Sequence, residues 1–211
     1  MKKVGIKAVN GKVMIEGWDE SCAEVEYITH GEVNVEVEKP GDELIIKEEP
    51  KKKKILGIFE KSSNGWAEIR VKVPKWAVVS ATNVNGTIEG REVEFKLVNS
   101  VNGRIILEKC MAGIISTVNG GIKASLSRAE SLKVKTVNGP IRLTIEELEG
   151  NAVIDTVNGS VHLILTEFCD AKIKAKSVNG SVRMIDTDTI GTGEYEVNVS
   201  TVNGSITIEF I

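Results

Sequence analysis

The fold of this chain is decided by a short repeated sequence motif, one copy of which is Thr136-Val137-Asn138-Gly139-Pro140-Ile141 near the middle of the chain. The tripeptide Val-Asn-Gly occurs seven times between residues 84 and 204, and its glycines are 17, 17, 19, 20, 21 and 24 residues apart. A period near 20 residues that tolerates insertions is typical of repeat architectures, in which each unit packs on its neighbours. One further copy, Val9-Asn10-Gly11, stands apart near the N-terminus.

The residues around each glycine alternate between apolar and polar, which is the pattern of β-strands. Apolar β-branched residues stand two positions after the glycines: Ile88, Ile105, Ile122, Ile141, Val161, Val182 and Ile206. Polar residues stand directly before the valines: Asn83, Ser100, Thr117, Thr136, Thr156, Ser177 and Thr201. Strict alternation would point these polar residues inward and the valines outward. Because seven exposed valines at one site are unexpected, we predict that the chain bends there and tucks each valine into the core.

Two architectures fit a strand-Asn-Gly-strand unit. Each Asn-Gly could be a tight hairpin turn in an antiparallel meander, or a corner between two faces of a β-solenoid. Stacked rungs favour the same residue at the same position in every copy, because each residue lies about 4.8 Å above its own counterpart. We therefore predict an all-β, single-domain β-solenoid with a ladder of corner asparagines: Asn85, Asn102, Asn119, Asn138, Asn158, Asn179 and Asn203.

The two parts of the chain have different patterns. Residues 75–211 are predicted to form the seven-repeat solenoid, and residues 1–74 an N-terminal β region that caps it and is continuous with it. Within that region, Val4 to Ile15 reads as a strand, an Asn-Gly turn and a second strand.

The strand Ala67–Pro74 (AEIRVKVP), followed by [ST]-V-N-G-x-[IV] units, resembles the putative-adhesin domain family of uncharacterised bacterial and archaeal β-solenoid repeat proteins. The resemblance covers nearly the whole chain and implies the solenoid fold. It also implies an adhesin-like function, in the form of a non-enzymatic scaffold or binding module that could take a glycan or a protein as its ligand.

Composition narrows the classes of function. The net charge of −3 argues against general affinity for nucleic acid, which needs a basic surface. No apolar run is long enough for a signal peptide or a membrane-spanning helix, so a cytoplasmic location is expected, with a surface location left open. Cys22, Cys110 and Cys169 are odd in number and far apart, which indicates reduced, buried thiols.

No catalytic motif is present, and we expect neither enzyme activity nor a cofactor or metal. The histidines His30 and His162 and the three cysteines are too scattered to form a zinc site. The alternative function is a carbohydrate-acting parallel β-helix enzyme, which would need clustered carboxylates in one groove.

Two loops that break the pattern are candidate binding sites. The first carries a basic-apolar cluster that could touch anionic lipid or a partner, or could be a solvated hairpin loop: Lys51, Lys52, Lys53, Lys54, Ile58 and Phe59. The second contains Asp186 and Asp188, which could bind a hard cation or form a solvated surface loop.

The C-terminus suggests a contact with another chain. Residues Ser205–Ile211 end the chain one strand into a rung. Because an unpaired strand edge recruits other chains, we predict that this edge self-associates or is covered by the N-terminal strands.

Overall fold

The computed structural model of the protein describes residues 1–55, 59–62, 64–185 and 187–211, except the side chains of residues 52–62. These residues form strands and no helix that could span a membrane. The strands are β1 Lys3–Trp18, β2 Glu24–His30, β3 Val33–Glu38, β4 Glu43–Pro50, β5 Lys52–Ile55, β6 Phe59–Ser62, β7 Trp66–Pro74, β8 Val78–Arg91, β9 Glu94–Asn102, β10 Ile105–Asn119, β11 Ile122–Arg128, β12 Leu132–Asn138, β13 Ile141–Ile145, β14 Ala152–Asn158, β15 Val161–Leu165, β16 Ala171–Asn179, β17 Val182–Met184, β18 Thr189–Ile190, β19 Tyr195–Asn203 and β20 Ile206–Phe210.

The strands stack in register as parallel rungs, each made of two segments that meet at a Val-Asn-Gly corner. Strand β1 lies on β8 with Asn10 opposite Asn85, and further along the stack Asn119 lies opposite Asn138. The apolar positions two residues after the glycine face inward and are at most 2% exposed in six copies: Ile88, Ile105, Ile122, Ile141, Val161 and Ile206. The predicted β-solenoid is therefore confirmed.

The rungs present two outer faces. The segments before the corners make the pre-corner face, in the spatial order β3, β4, β1, β8, β9, β10, β12, β14, β19 and β16. The segments after the corners make the post-corner face, in the order β2, β7, β1, β8, β10, β11, β13, β15, β20 and β17. Strands β1, β8 and β10 each extend over both faces.

The prediction that the corner valines are buried is wrong. They are close to 40% exposed in most copies: Val84, Val101, Val118, Val137, Val157 and Val202. The polar residue before each of these six valines is buried instead, and the Thr136 hydroxyl donates a hydrogen bond of 3.1 Å to the backbone carbonyl of Gly120 in the neighbouring rung. Thr117 donates in the same way to Gly103. Alternation therefore continues through the corner, because the inward hydroxyl is satisfied by a backbone acceptor.

The corner glycines are required by the close approach of neighbouring rungs. A Cβ atom built on Gly139 would lie 2.1 Å from the carbonyl oxygen of Gly120, and one built on Gly103 would lie 1.7 Å from that of Gly86. No real side chain tolerates such distances. The repeated glycine is therefore explained by backbone contact between rungs, to which a positive φ adds at corners such as Gly86 (φ 133°).

The corner asparagines form a continuous ladder of exposed side-chain amides. From Asn85 onward, each Nδ2 donates to the Oδ1 of an adjacent rung at 2.8–3.0 Å, whereas the Nδ2 of Asn10 donates to Gly65 O at 3.2 Å. The ladder runs in the spatial order Asn10, Asn85, Asn102, Asn119, Asn138, Asn158, Asn203 and Asn179. The expectation that successive copies stack in sequence order thus fails at the last two copies, which exchange places.

Because the last two copies exchange places, the C-terminal strand does not form the open edge that the sequence suggested. Strand β20 pairs with β15 on one side and with β17 on the other. The C-terminal strand is covered by its own chain, and the outermost rung at this end is β16–β17.

The N-terminal region also differs from expectation. The predicted turn at Asn10-Gly11 is a corner inside the single strand β1, and it begins the asparagine ladder. The next rung consists of two separate strands, β4 and β7, both of which pair with β1. At its corner the two strands are not joined directly, because other residues of the chain lie between them in sequence. There the Glu48 carboxylate accepts hydrogen bonds from the backbone amides of Val9 at 2.6 Å and Asn10 at 2.8 Å. Antiparallel strands β2 and β3 lie outermost.

Candidate binding groove

The outward positions of the post-corner face stack into rows of unlike residues. Three positions after the corner glycine, Glu89 lies opposite Ile106, and Ile106 opposite Lys123. The row continues from Lys123 to Arg142 and then to His162. Neighbouring members of the row are about 4.8 Å apart, because that is the spacing of hydrogen-bonded strands.

A groove extends along these rows. One cavity of about 1010 Å³ is lined by residues of β2, β7, β1, β8, β10, β11 and β13, and an adjoining cavity of about 440 Å³ continues to β15. The two share part of their lining, including Ile106, Lys123 and Arg142. Eight adjacent strands span about 34 Å, so the groove is long enough for an extended ligand rather than a single small molecule.

Charge is distributed unevenly along the groove. Towards its β2 end, Lys12 Nζ lies 2.8 Å from Glu89 Oε1, and Lys72 Nζ lies 3.7 Å from Glu24 Oε2. Over β10, β11 and β13 the exposed cations form no ion pair with any carboxylate of the described residues: Arg104, Lys123 and Arg142. This half of the groove is therefore positive on a chain whose net charge is −3.

The cations are also close to one another. Lys123 and Arg142 lie directly opposite on adjacent strands, and like charges in that arrangement are unfavourable. Beyond them, His162 Nε2 lies 3.4 Å from Glu209 Oε1. A bound anion would relieve the repulsion between Lys123 and Arg142, because each cation would gain a charge-assisted hydrogen bond.

Partly buried apolar side chains contribute to the surface between the charges. Met14 and Ile106 line the larger cavity, and Ile164 lines the smaller one. A lining that mixes apolar surface with a few charged groups is typical of ligand sites, in which apolar contact supplies area and polar groups fix orientation.

Of the loop residues singled out from the sequence, the structure describes the side chains of Lys51 and Asp188, and neither lines this groove. Lys51 is exposed, and its backbone amide donates to Glu32 O at 2.9 Å. Asp188 is exposed and accepts a hydrogen bond of 3.1 Å from the Thr189 hydroxyl. The other predicted residues fall on side chains or positions outside the described part of the chain: Lys52, Lys53, Lys54, Ile58, Phe59 and Asp186.

Neither thiols nor acids form a metal site in the described part of the chain. No group of three or more His, Cys, Asp or Glu side chains that could hold a metal occurs there. Cys110 and Cys169 are buried, whereas Cys22 is exposed, contrary to the expectation for that residue.

The groove residues escaped the sequence-based prediction because outward polar residues are expected on any solvated strand. The available signal was the appearance of Lys123 and Arg142 at the same position of consecutive copies. Their lack of carboxylate partners depends on side-chain contacts that the sequence does not display.

Comparison with known proteins gives one family and two solved structures. Residues 107–209 match the family model described as Toastrack DUF4097. A protein described as a putative adhesin from Bacteroides fragilis NCTC 9343 has a TM-score of 0.50 at 12% identity, with 100% of this chain and 93% of that chain covered. A protein described as a putative cell adhesion protein from Clostridium sporogenes ATCC 15579 has a TM-score of 0.42 at 16% identity, with 100% and 92% covered.

Curated protein sequences give no significant match. The family match covers the rungs from the middle of β10 to β20, and the Bacteroides fragilis structure shows the same kind of fold over the whole chain. Together they agree with the resemblance drawn from the repeats and support the β-solenoid fold. Residues 107–209 of this chain are therefore similar to the toastrack domain described as DUF4097.

Proposed function

We propose that the protein is a non-enzymatic, adhesin-like binding module that holds an extended acidic glycan along the post-corner groove. One observation supports this proposal most directly: Arg104, Lys123 and Arg142 line the groove without carboxylate partners among the described residues. On a chain of net charge −3, a positive groove is a local feature rather than a consequence of overall composition.

The geometry favours a polymer over a compact ligand. Successive rungs offer binding positions about 4.8 Å apart over about 34 Å, so that a chain of repeating units makes similar contacts along the groove. Apolar side chains such as Ile106 lie beside the cations and can pack against the less polar side of a sugar ring. Charge-assisted hydrogen bonds from Lys123 and Arg142 would then select acidic sugars over neutral ones.

The alternative function, a carbohydrate-acting enzyme, makes a different demand on the same groove. Glycoside hydrolysis needs two carboxyl groups that flank one bond and take different roles. Glu24 and Glu89 each lie in an ion pair with a lysine, whereas three further carboxylates remain in the lining, those of Glu16, Glu26 and Glu108. A binding experiment should therefore also follow the length of the ligand.

The test is calorimetric titration with oligogalacturonate and with a neutral gluco-oligosaccharide of the same length. We expect binding of the acidic oligomer only, and at least tenfold weaker binding by Lys123→Glu/Arg142→Glu. The control Lys96→Glu/Lys133→Glu makes the same charge change at exposed positions outside the groove and should bind within twofold of the parent.

Equal binding of the neutral oligomer, or equal losses in the two double variants, would contradict an anionic ligand in this groove. Shortened oligomers after incubation, detected by ion-exchange chromatography, would favour the enzymatic alternative. Binding should weaken as salt is raised, because exposed charges are screened.

A further inference from the structure

Both ends of the rung stack leave inward-facing side chains uncovered. At the β16–β17 end, Val182 is 43% exposed, although its counterparts in the other copies are at most 2% exposed. Val178 is 64% exposed, against about 40% for the other corner valines. Strand β18 pairs with Ala171 and Lys172, and the Ile173 amide donates to Asp188 O at 2.8 Å. From Lys174 onward, the outer edge of β16 carries no strand in the described part of the chain.

The opposite end is also incomplete. Strands β2 and β3 each pair with one neighbour, β7 and β4 respectively. Tyr27 lies opposite the buried Ile69 and Val37 opposite the buried Ile46, so both have the parity of core residues. They are nevertheless 48% and 44% exposed, because no rung lies beyond them among the described strands.

The two ends carry opposite charges. Strands β16 and β17 contain three lysines, one arginine and no acidic residue: Lys172, Lys174, Lys176 and Arg183. Strands β2 and β3 contain four glutamates and no lysine or arginine: Glu24, Glu26, Glu36 and Glu38. Within the stack the pre-corner face already joins rungs by such contacts, since Lys135 Nζ lies 3.1 Å from Asp155 Oδ2 on the adjacent strand.

The two ends also match in strand position. Strands β3 and β16 belong to the pre-corner face, and β2 and β17 to the post-corner face. Translation of a second copy along the stack therefore brings β3 against β16 and β2 against β17. Because β2 and β3 run opposite to the other rungs, both new pairs would be antiparallel, with glutamates opposite lysines on the outer face.

We propose that the protein associates head to tail, with the β2–β3 end of one copy seated on the β16–β17 end of the next. This contact covers Val182 and Tyr27, extends the core and pairs the opposite charges. Contacts between like ends would place glutamate against glutamate or lysine against lysine, which is unfavourable. A head-to-tail contact is heterologous and has no built-in limit, so that it produces linear oligomers rather than a closed dimer.

The test uses charge reversal at one end at a time. The open-end variant is Lys172→Glu/Lys176→Glu, which spares Lys174 and its ion pair with Glu196. The cap-end variant is Glu36→Lys/Glu38→Lys. Sedimentation velocity of the parent at low salt should show a mass that grows with concentration, whereas each variant alone should remain monomeric.

A one-to-one mixture of the two variants should recover the large species, because each reversed end then meets a partner of opposite charge. The control Lys96→Glu/Lys133→Glu should assemble like the parent, and so should the groove variant Lys123→Glu/Arg142→Glu. Raising the salt to about 0.5 M shortens the Debye length to about 4 Å and should reduce the mass of the parent.

Several outcomes would overturn the proposal. They are a parent that stays monomeric over the concentration series, a single-end variant that assembles alone, or a mixture of folded variants that stays monomeric. Circular dichroism and the thermal midpoint of each variant establish folding. If a reversal prevents folding, Lys172→Gln/Lys176→Gln should still lower the mass relative to the parent, and an unchanged mass would count against the contact.

Discussion

Replacing Gly139 by alanine should show how strongly the corner depends on close backbone approach. The added Cβ would lie 2.1 Å from the carbonyl oxygen of Gly120, whereas ordinary contact begins near 3.4 Å. The two rungs must therefore separate at this corner by about 1.3 Å. Alanine adds the smallest possible side chain, so the cost arises from the backbone contact and from the positive φ of Gly139, and not from the size of a larger group.

Three hydrogen bonds cross the same corner and would be lengthened together. The Gly120 amide donates to Asn138 O at 3.0 Å, the Asn138 side chain donates to Asn119 Oδ1 at 2.8 Å, and the Thr136 hydroxyl donates to Gly120 O at 3.1 Å. An increase of about 1 Å takes each beyond hydrogen-bonding distance. At about 1 kcal/mol net for each bond, we expect a loss of about 3 kcal/mol in the free energy of unfolding.

Equilibrium unfolding in urea measures this loss, with Gly113→Ala as the matched control. Gly113 lies within β10, and a Cβ there would be 3.3 Å from Lys96 O, a tight contact that a small adjustment relieves. Alanine also costs less conformational entropy than glycine in a strand, so the control should change stability by less than about 1 kcal/mol. Equal unfolding midpoints for the two variants would refute the argument from close approach.

Two further substitutions examine the buried polar groups at the corners. Thr136→Val keeps the side-chain shape but removes the buried donor to Gly120 O, so it should lower the free energy of unfolding in urea by about 1–2 kcal/mol. Val137→Thr changes an exposed site and should lower it by less than about 0.5 kcal/mol. A larger loss for Val137→Thr than for Thr136→Val would favour the original prediction that the valine faces the core. Burial raises the pKa of Glu48 above its ordinary value near 4.5, against the lowering effect of the Asn10 and Val9 amides. The folded state then holds this proton more tightly than the unfolded state, so this contribution to stability is lost as pH rises from the ordinary pKa through the raised one. Glu48→Gln should therefore gain stability relative to the parent as pH rises through that window. The control is Glu43→Gln, at an exposed position that is not among the causes of the Glu48 shift, and parallel pH profiles of the parent and Glu48→Gln would contradict the shift.

The rung stack could be predicted from the sequence because one residue pattern is repeated with the same polarity in every copy. The valine placement could not be predicted from hydrophobicity alone. What decides it is the bond between an inward hydroxyl, such as that of Thr136, and the backbone carbonyl of the next rung. The recurrence of serine and threonine at this position was the signal for an inward polar ladder. The sequence-based prediction gave more weight to the apolar character of valine and therefore placed the valine in the core.

The spatial order of the rungs is the feature that sequence reasoning could least supply. Copies with the same corner can stack on one another in almost any order, so their local preferences do not distinguish the arrangements. The signal lay in the spacings: the two longest, 21 and 24 residues, flank Gly180, whose rung the chain reaches and leaves by passing over another rung. The N-terminal corner at Asn10 was missed because its partner, Asn85, is far away in sequence.

The exchanged order of the last two rungs has a consequence for biosynthesis. As the chain leaves the ribosome, β16 and β17 emerge while the outer side of β14 and β15 is still vacant, and their own corner matches that surface. The segments that belong there, β19 and β20, are made after β16 and β17. Early docking of β16 would therefore create a kinetic trap that must be undone by strand displacement before the native order forms. Synthesis of β19 and β20, rather than the growth of each successive repeat, becomes the step that commits this part of the rung stack to its final topology.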